Sequence, residues 1–218
     1  MGIICVGGIK GGSGKTTVAV TLAVLAAARG RDVLLVDADE QETASDFTAF
    51  RNERLGEAGY TVVQLQGAAA RTELRRLAPR FDLTVVDCGG RDTQSQRAAM
   101  TCADLYLVPI APRSYDVWTM ARVRELLNDV HSVHDGLLGC VMLNRADHRG
   151  RDNAEALEIL TDFPEFRVFA ASLGDRKAFA NAGGAGLAVT EYKPRDNRAI
   201  AEANTLYSEA MEWMNNGG

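Results

Sequence analysis

Residues 10–17 read Lys-Gly-Gly-Ser-Gly-Lys-Thr-Thr, directly after the apolar run 3–6 and directly before a long helical pattern. The glycines let backbone N–H groups turn inward around phosphate oxygens, where a Cβ atom would obstruct them. The helix that follows adds the positive end of its dipole, a common anion-binding arrangement. Lys15 would neutralise the β- and γ-phosphates, and Thr16 would bind Mg²⁺. The predicted nucleotide contacts are Gly11, Gly12, Ser13, Gly14, Lys15, Thr16 and Thr17.

Short apolar runs alternate along the chain with longer segments of helical periodicity. Several runs, such as 33–36, are apolar throughout, which is typical of strands buried on both faces of a parallel sheet. The alternation predicts a single-domain, doubly wound α/β fold over 1–218, with a mostly parallel sheet and helices on both faces. Strands are predicted at 3–8, 32–37, 61–65, 83–87, 105–110, 137–143 and 167–171. Helices are predicted at 16–28, 42–55, 70–78, 93–102, 115–130, 153–161, 176–182 and 198–214.

Composition sets the outer limits of this interpretation. With 218 residues, 46% of them apolar, the chain is long enough for one substantial α/β domain. No apolar run approaches the roughly 20 residues that span a bilayer, and no signal-peptide core is visible, so a cytoplasmic location is expected. The four cysteines are widely spaced, which argues against a disulfide framework or a zinc site. The formal net charge of −5 excludes a uniformly basic nucleic-acid binder but not a local basic patch.

The loop departs from the usual phosphate-loop pattern G-x-x-x-x-G-K-[ST], because Ile9 occupies the position of the first glycine. A second lysine, Lys10, stands five residues before Lys15, where the alternative is a solvated loop charge. The whole octet resembles the deviant Walker A motif of the ParA/MinD ATPases. The resemblance implies that ATP binds with Mg²⁺ and that Lys10 reaches the nucleotide of the other subunit in an ATP-sandwich homodimer. The chain resembles most the short partition ATPases of plasmids and phages, which lack a helix-turn-helix arm.

Two acids follow the apolar run 33–36. Acids at the carboxyl ends of parallel strands lie where ligands bind in such sheets. Residues 37–41 resemble the family pattern Asp-x-Asp-Pro-Gln, except that Glu40 replaces the proline. The resemblance implies that Asp39 positions the attacking water, as a catalytic residue beside Lys10 and Lys15, and that Asp37 supports the Mg²⁺ ion. The alternative for Asp39 is helix capping without catalysis.

Another acid, Asp87, ends the buried run 81–87. This run resembles the Walker B strand, which implies that Asp87 binds Mg²⁺ through water. Residues 88–92 would then form the second switch. Asn144 follows the predicted strand 137–143, where relatives contact the adenine, although asparagine is also a common turn residue.

Three surface features bear on partners. The segment 105–118 resembles the Pro-x-x-Pro-Ser-x-x-Asp-x-Trp segment of small ParA-like proteins, which places Asp116 and Trp118 at a dimer or partner interface, with core packing the alternative for Trp118. Basic residues cluster in three places and could form a patch continuous only across a dimer, a source of salt-sensitive DNA binding without sequence preference. The last predicted helix is acidic, which argues against membrane binding. The basic clusters are Arg71, Arg75, Arg76 and Arg80; Arg145, Arg149 and Arg151; and Arg176, Lys177, Lys193, Arg195 and Arg198.

Together these features predict a molecular switch that dimerises on ATP, binds DNA non-specifically and hydrolyses ATP weakly. The resemblance implies a centromere-binding ParB-type partner that stimulates hydrolysis, partition of plasmid or chromosomal DNA, and association with the nucleoid. Three alternatives share the fold: positioning of a protein cargo, a MinD-like cycle, and an electron-transfer ATPase with Cys88 as a cluster ligand. A ligase similar to dethiobiotin synthetase is disfavoured, because its loop lacks an equivalent of Lys10.

Overall fold

A parallel sheet organises the fold in the computed structural model, which describes residues 1–112, 118–147 and 151–216. Its strands are β1 Gly2–Val6, β2 Val33–Ala38, β3 Thr61–Gln64, β4 Leu83–Cys88, β5 Leu105–Ile110, β6 Leu138–Ala146, β7 Arg167–Val168 and β8 Leu173–Gly174. The order is β3-β2-β4-β1-β5-β6-β7, with β8 paired to β6, and the pairings among these strands are all parallel. Successive strands lie on one side of β1 up to β4 and on its other side from β5 onward. This switch point places a ligand crevice at the carboxyl end of β1.

Helices pack on both faces of the sheet. They are α1 Lys15–Ala27, α2 Thr43–Leu55, α3 Ala69–Leu77, α4 Gln94–Met100, α5 Met120–His131, α6 Asp152–Leu160, α7 Lys177–Gly183 and α8 Asn197–Asn216. Helices α1, α2, α7 and α8 contribute apolar side chains to the core on one face, and α3 to α6 do so on the other. This arrangement confirms the predicted doubly wound fold. None of the described helices is long and apolar enough to cross a membrane.

The central strands and α1 anchor both ends of the phosphate loop in the core. Every residue of β1, β2, β4 and β5 is buried, as their uninterrupted apolar runs predict. Helix α1 is buried over most of its length, because it packs against the sheet, α2 and α8. The phosphate loop therefore connects two elements that are both fixed in the core.

The predicted strand 167–171 is wrong in its extent. The structure has two short strands there, β7 and β8, and the residues between them leave the sheet. The reason is Glu209 of α8, whose carboxylate accepts hydrogen bonds from the backbone N–H groups of Ala170 (2.8 Å) and Ala171 (2.7 Å). Those N–H groups thus bond to α8 instead of β6, and the ladder is interrupted.

The predicted helix 115–130 is described from Met120 onward, where α5 begins. Residues 115–117, including Asp116, lie outside the described residues, and so do His148 and Arg149. The prediction of an interface at Asp116 therefore stays a prediction.

Candidate nucleotide site

The phosphate loop needs its glycines for two reasons. Gly12 and Gly14 adopt positive φ angles of 78° and 85°, a region that other residues rarely occupy. A Cβ atom on Gly14 would also collide with the amide nitrogen of Asn144. Helix α1 begins directly after Gly14, at Lys15, so its free N–H groups point into the loop.

Lys15 lies inside the loop rather than in solvent. It is 5% exposed, and its ammonium donates a hydrogen bond to the backbone carbonyl of Lys10 at 2.8 Å. Burial lowers the pKa of Lys15, and the nearby carboxylates of Asp87 and Asp39 offset part of this shift. The side chain is therefore held in place by the loop and is the partly desolvated cation that phosphate oxygens would meet.

Asp37 and Asp87 are neighbours across the sheet, opposite each other in the register of β2 and β4. Both are buried, but their hydrogen bonding differs. Asp37 accepts hydrogen bonds from the backbone N–H of Ser45 at 2.8 Å and from that of Asp39 at 3.2 Å. It thereby fixes the first turn of α2 and the turn that carries Asp39.

Asp87 is 0% exposed, and neither of its carboxylate oxygens has a hydrogen-bond partner in the described part of the chain. Burial raises its pKa from 3.8 to about 7. Thr16 and Lys15 lower the pKa in part, although the Thr16 hydroxyl does not reach hydrogen-bonding geometry, while Asp37 and Asp39 raise it further. A buried carboxylate without partners is costly, and this one stands beside a phosphate loop.

Asp39 lies at the rim of the pocket, half-buried, in the turn between β2 and α2. Its Oδ1 accepts a hydrogen bond from the backbone N–H of Gln41 at 3.2 Å. Asp39 does not cap α2 itself, because Glu42 occupies the N-cap position without a side-chain bond and the first-turn N–H of Ser45 bonds to Asp37. The Asp39 carboxylate instead holds the turn before the helix, which is the part of the capping alternative that the structure supports. The catalytic role of Asp39 stays a prediction.

An open pocket of about 730 Å³ lies over the phosphate loop and the Asp39 turn, and its lining residues do not include Asp37 or Asp87. Its walls are the phosphate loop, the turn 38–43, the segment 89–95 and Arg145. Within the described ranges, no group of three or more His, Cys, Asp or Glu side chains is arranged to hold a metal ion by itself. A metal ion here would need further oxygen ligands, which phosphates and water can supply.

Sequence reasoning missed Gln96 of α4 as a support of the loop. Gln96 is fully buried, and its Oε1 accepts a hydrogen bond from the backbone N–H of Gly8 at 3.2 Å. Its amide nitrogen donates to the Tyr106 hydroxyl at 3.4 Å. Because these contacts join residues far apart in the chain, no local pattern indicates them.

Asn144 also supports the loop. It is 4% exposed, its amide nitrogen donates to the Ser13 carbonyl at 2.6 Å, and its Oδ1 accepts from the Arg145 N–H at 3.0 Å. Asn144 ends the apolar part of β6 as predicted, and it holds the loop through its own amide. A contact between Asn144 and adenine stays a prediction.

The structure also tests the alternatives proposed for Trp118 and Cys88. Trp118 is 66% exposed, so the core-packing alternative for this residue is wrong. Cys88 is buried in β4 with its sulfur 3.5 Å from that of Cys5. The hydrogen bond with Cys5 and burial raise the pKa of the Cys88 thiol well above its usual range. A cluster ligand shared between subunits would have to face outward, so this placement does not support the electron-transfer alternative.

The family model for the CobQ/CobB/MinD/ParA nucleotide-binding domain matches residues 4–189. The chain belongs to this family. The matched region contains the phosphate loop, the acids of β2 and β4, and Asn144. The resemblance inferred from the octet 10–17 is thereby confirmed.

Individual proteins of this family are similar over nearly the whole chain. "Maintenance of carboxysome distribution protein A" from Gloeobacter kilaueensis is 32% identical over 93% of this chain and 89% of its own length. Its namesake from Halothiobacillus neapolitanus is 26% identical over 95% of each chain. Among solved structures, a variant of McdA from Cyanothece in complex with ATP has a TM-score of 0.80 and 19% identity, covering 97% of this chain and 96% of its own. MinD from Pyrococcus horikoshii with Mg-ADP has a TM-score of 0.74 and 18% identity, covering 99% and 98%.

Proposed function

We propose that this member of the family is an ATP-dependent switch, which binds ATP with Mg²⁺, dimerises, and hydrolyses ATP slowly to ADP and phosphate. The observation that carries the proposal is the buried, unpartnered carboxylate of Asp87 at the end of β4, beside a glycine-rich loop with a buried lysine. This combination of anion-binding loop and spare carboxylate matches a phosphate group together with a divalent cation. The relatives named above support ATP as the nucleotide.

Each site residue has a separate proposed role in binding or hydrolysing ATP. Thr16 and, through water, Asp87 would hold Mg²⁺, which supplies positive charge at the β- and γ-phosphates when bound. Lys15 donates to phosphate oxygens in place of the Lys10 carbonyl. Asp37 acts indirectly, because both of its oxygens already bond to backbone N–H groups that shape the Asp39 turn. Asp39 orients the attacking water.

Lys10 is proposed to act on the nucleotide of a second copy of this chain. Its backbone carbonyl holds Lys15 in the present conformation, and the residue itself is half-buried. We expect Lys10→Ala to bind ATP normally but to form no ATP-dependent dimer, as measured by light scattering after size-exclusion chromatography. An ATP-dependent dimer of this variant would contradict the role of Lys10 in the other subunit.

Asp39→Ala tests the hydrolytic step separately. The variant should still bind ATP and should accumulate as an ATP-bound dimer, because only the orientation of water is lost. Phosphate release and dimer content would be measured on the same samples. Normal turnover would show that another residue positions the water.

In the cell, we propose that the switch positions a large protein assembly of the carboxysome type. Two relatives named for carboxysome distribution cover nearly all of this chain, and this favours cargo positioning over the partition of plasmid DNA that the octet suggested. Deletion of the gene should leave the assemblies clustered, as seen by fluorescence microscopy, while plasmids and chromosomes are inherited normally. Loss of plasmids with normally spaced assemblies would favour partition instead.

Non-specific DNA binding by the ATP-bound dimer completes the proposal, since DNA gives such a switch a surface to move on. Helix α3 and the turn after it expose several arginines, whereas Arg176 pairs with Glu202 at 2.7 Å and is less available. Binding to a random duplex should require ATP and weaken with salt. Equal binding with ATP, ADP and no nucleotide would contradict this part. The exposed arginines of this region are Arg71, Arg75, Arg76 and Arg80.

A further inference from the structure

Arg91 brings a positive charge to the pocket that the roles above do not use. It lies in the connection between β4 and α4, lines the pocket, and is exposed. This charge is additional to those of Lys15, proposed to act in its own subunit, and Lys10, proposed to act in the partner. Together with Arg145, which also lines the pocket, Arg91 adds two cations to those that the phosphate loop itself provides.

The backbone just before Arg91 packs closely against the phosphate loop and against Asp39. A Cβ atom on Gly90 would come within 2.7 Å of the Cα atom of Gly11, and one on Gly89 within 2.9 Å of the Oδ1 atom of Asp39. The contact with the backbone of Gly11 leaves room only for glycine at position 90. The two contacts place the backbone just before Arg91 next to both the phosphate loop and the carboxylate proposed to orient water, and Arg91 itself lines the same pocket.

The acid that follows Arg91 in sequence is bound elsewhere. Asp92 forms a two-pronged ion pair with Arg97, with N–O distances of 2.6 Å for both contacts, and Arg97 also reaches Asp129 at 3.0 Å. Across residues 1–112, 118–147 and 151–216, Arg91 forms no ion pair. Both carboxylate oxygens of Asp92 are therefore already engaged by Arg97.

We propose that Arg91 is a catalytic residue that binds the γ-phosphate within its own subunit, a step that rests on the proposed ATPase function. In hydrolysis, the water oxygen bonds to the γ-phosphorus while the bond to the β–γ bridging oxygen breaks. ADP leaves with that electron pair, and the proton of the water ends on the released phosphate. The guanidinium donates hydrogen bonds to the γ-phosphoryl oxygens, whose charge is stabilised most strongly in the transition state.

Steady-state hydrolysis by Arg91→Ala, with Arg91→Lys and Arg54→Ala beside it, tests the assignment. We expect kcat of Arg91→Ala to fall at least about 100-fold while the Kd for ATP changes less than about 3-fold, which is the signature of an interaction made in the transition state. Arg91→Lys should recover part of the loss, since it keeps the charge without the fork. Arg54, exposed at the end of α2, should be neutral to substitution. Unchanged kcat in Arg91→Ala would overturn the proposal.

Arg97→Ala provides a second test that leaves Arg91 in place. Freed from Arg97, Asp92 becomes available to pair with Arg91, and kcat should drop about 10-fold at unchanged ATP affinity. The double variant Arg97→Ala with Asp92→Asn should regain most of the wild-type kcat. If the double variant stays as slow as Arg97→Ala, Asp92 does not compete for Arg91 and this reading is wrong. Failure of the wild-type protein to bind or hydrolyse ATP would instead overturn the proposed function.

Discussion

Within the part of the chain that the structure describes, two regions bury charged side chains and differ in the hydrogen bonds they give them. Arg51 of α2 is 6% exposed and is paired throughout: it donates to the carbonyls of Ala58 and Gly186, and it contacts Glu191 at 2.7 and 2.8 Å. We call this set the Arg51 clamp. Near the phosphate loop, Asp87 is buried even more deeply and has no hydrogen bond within the described residues.

The pKa shifts follow this difference. Burial pushes the pKa of Glu191 upward, but hydrogen bonds from Arg51 and from the Ala188 N–H outweigh burial and hold it below its usual value. At Asp87 burial prevails, and the pKa rises to about 7. Removing one partner of a paired buried charge destabilises the fold, whereas a buried charge without partners is a candidate ligand-binding group. The comparison therefore assigns the Arg51 clamp to the stability of the fold and Asp87 to ligand binding.

The largest expected effect comes from breaking the clamp. Arg51→Ala leaves Glu191 and two carbonyls without their donor, and should lower the free energy of unfolding by about 3–5 kcal/mol. Because the pKa of Glu191 is lowered in the folded state, the clamp's contribution is present at neutral pH and is lost as pH falls through that pKa. Urea titrations at neutral and acidic pH would show both effects.

The matched control for the clamp is Arg54→Ala on the same helix, which should change stability by less than about 0.5 kcal/mol. The double variant Arg51→Met with Glu191→Leu should recover most of the lost stability, since a buried pair can be replaced by apolar side chains. A double variant as unstable as Arg51→Ala would mean that packing of the arginine stem, rather than its charge, holds this region.

In the pocket, Lys15→Ala should act on the ligand and not on the fold. Loss of a charge-assisted contact to phosphate should weaken ATP binding by about 3 kcal/mol, or at least 100-fold. Stability without ligand should stay the same or rise, because burial disfavours the charged lysine. Calorimetric titration with ATP would measure the affinity, and Lys177→Ala, an exposed lysine, is the control. Full retention of affinity would remove the loop assignment.

The smallest expected effect gives the most discriminating test, because it compares two carboxylates that face each other across the sheet, Asp87 and Asp37. Asp87→Asn should stabilise the ligand-free protein by about 1–3 kcal/mol, because an unpaired buried charge is removed. Asp37→Asn should destabilise it, because both oxygens of Asp37 accept backbone hydrogen bonds. Thermal unfolding of the two variants side by side gives the signs. Destabilisation in both would mean that Asp87 has a structural partner.

The sequence predicted most of the fold because local patterns decide it. Uniform apolar runs became the buried central strands, and the octet 10–17 placed the helix start at residue 16, one residue after Lys15, where α1 begins. It could not predict that Glu209 would interrupt the strand at 170–171, since that contact spans 38 and 39 residues. The same limit hid Gln96 and the Arg51 clamp. Asp87 was found as a strand-end acid, but its lack of partners is a property of three-dimensional packing.

The free energy of unfolding, measured as a function of Mg-ATP concentration, tests most directly whether Lys15 and Asp87 serve to bind this ligand. At about 100 times its Kd, Mg-ATP should raise the free energy of unfolding of the wild-type protein by about 2.7 kcal/mol. The clamp double variant should show the same increase, while Lys15→Ala and Asp87→Asn should show little. No increase in the wild-type protein, or an equal increase in Asp87→Asn, would contradict the assignment of these charges to a bound nucleotide and its metal.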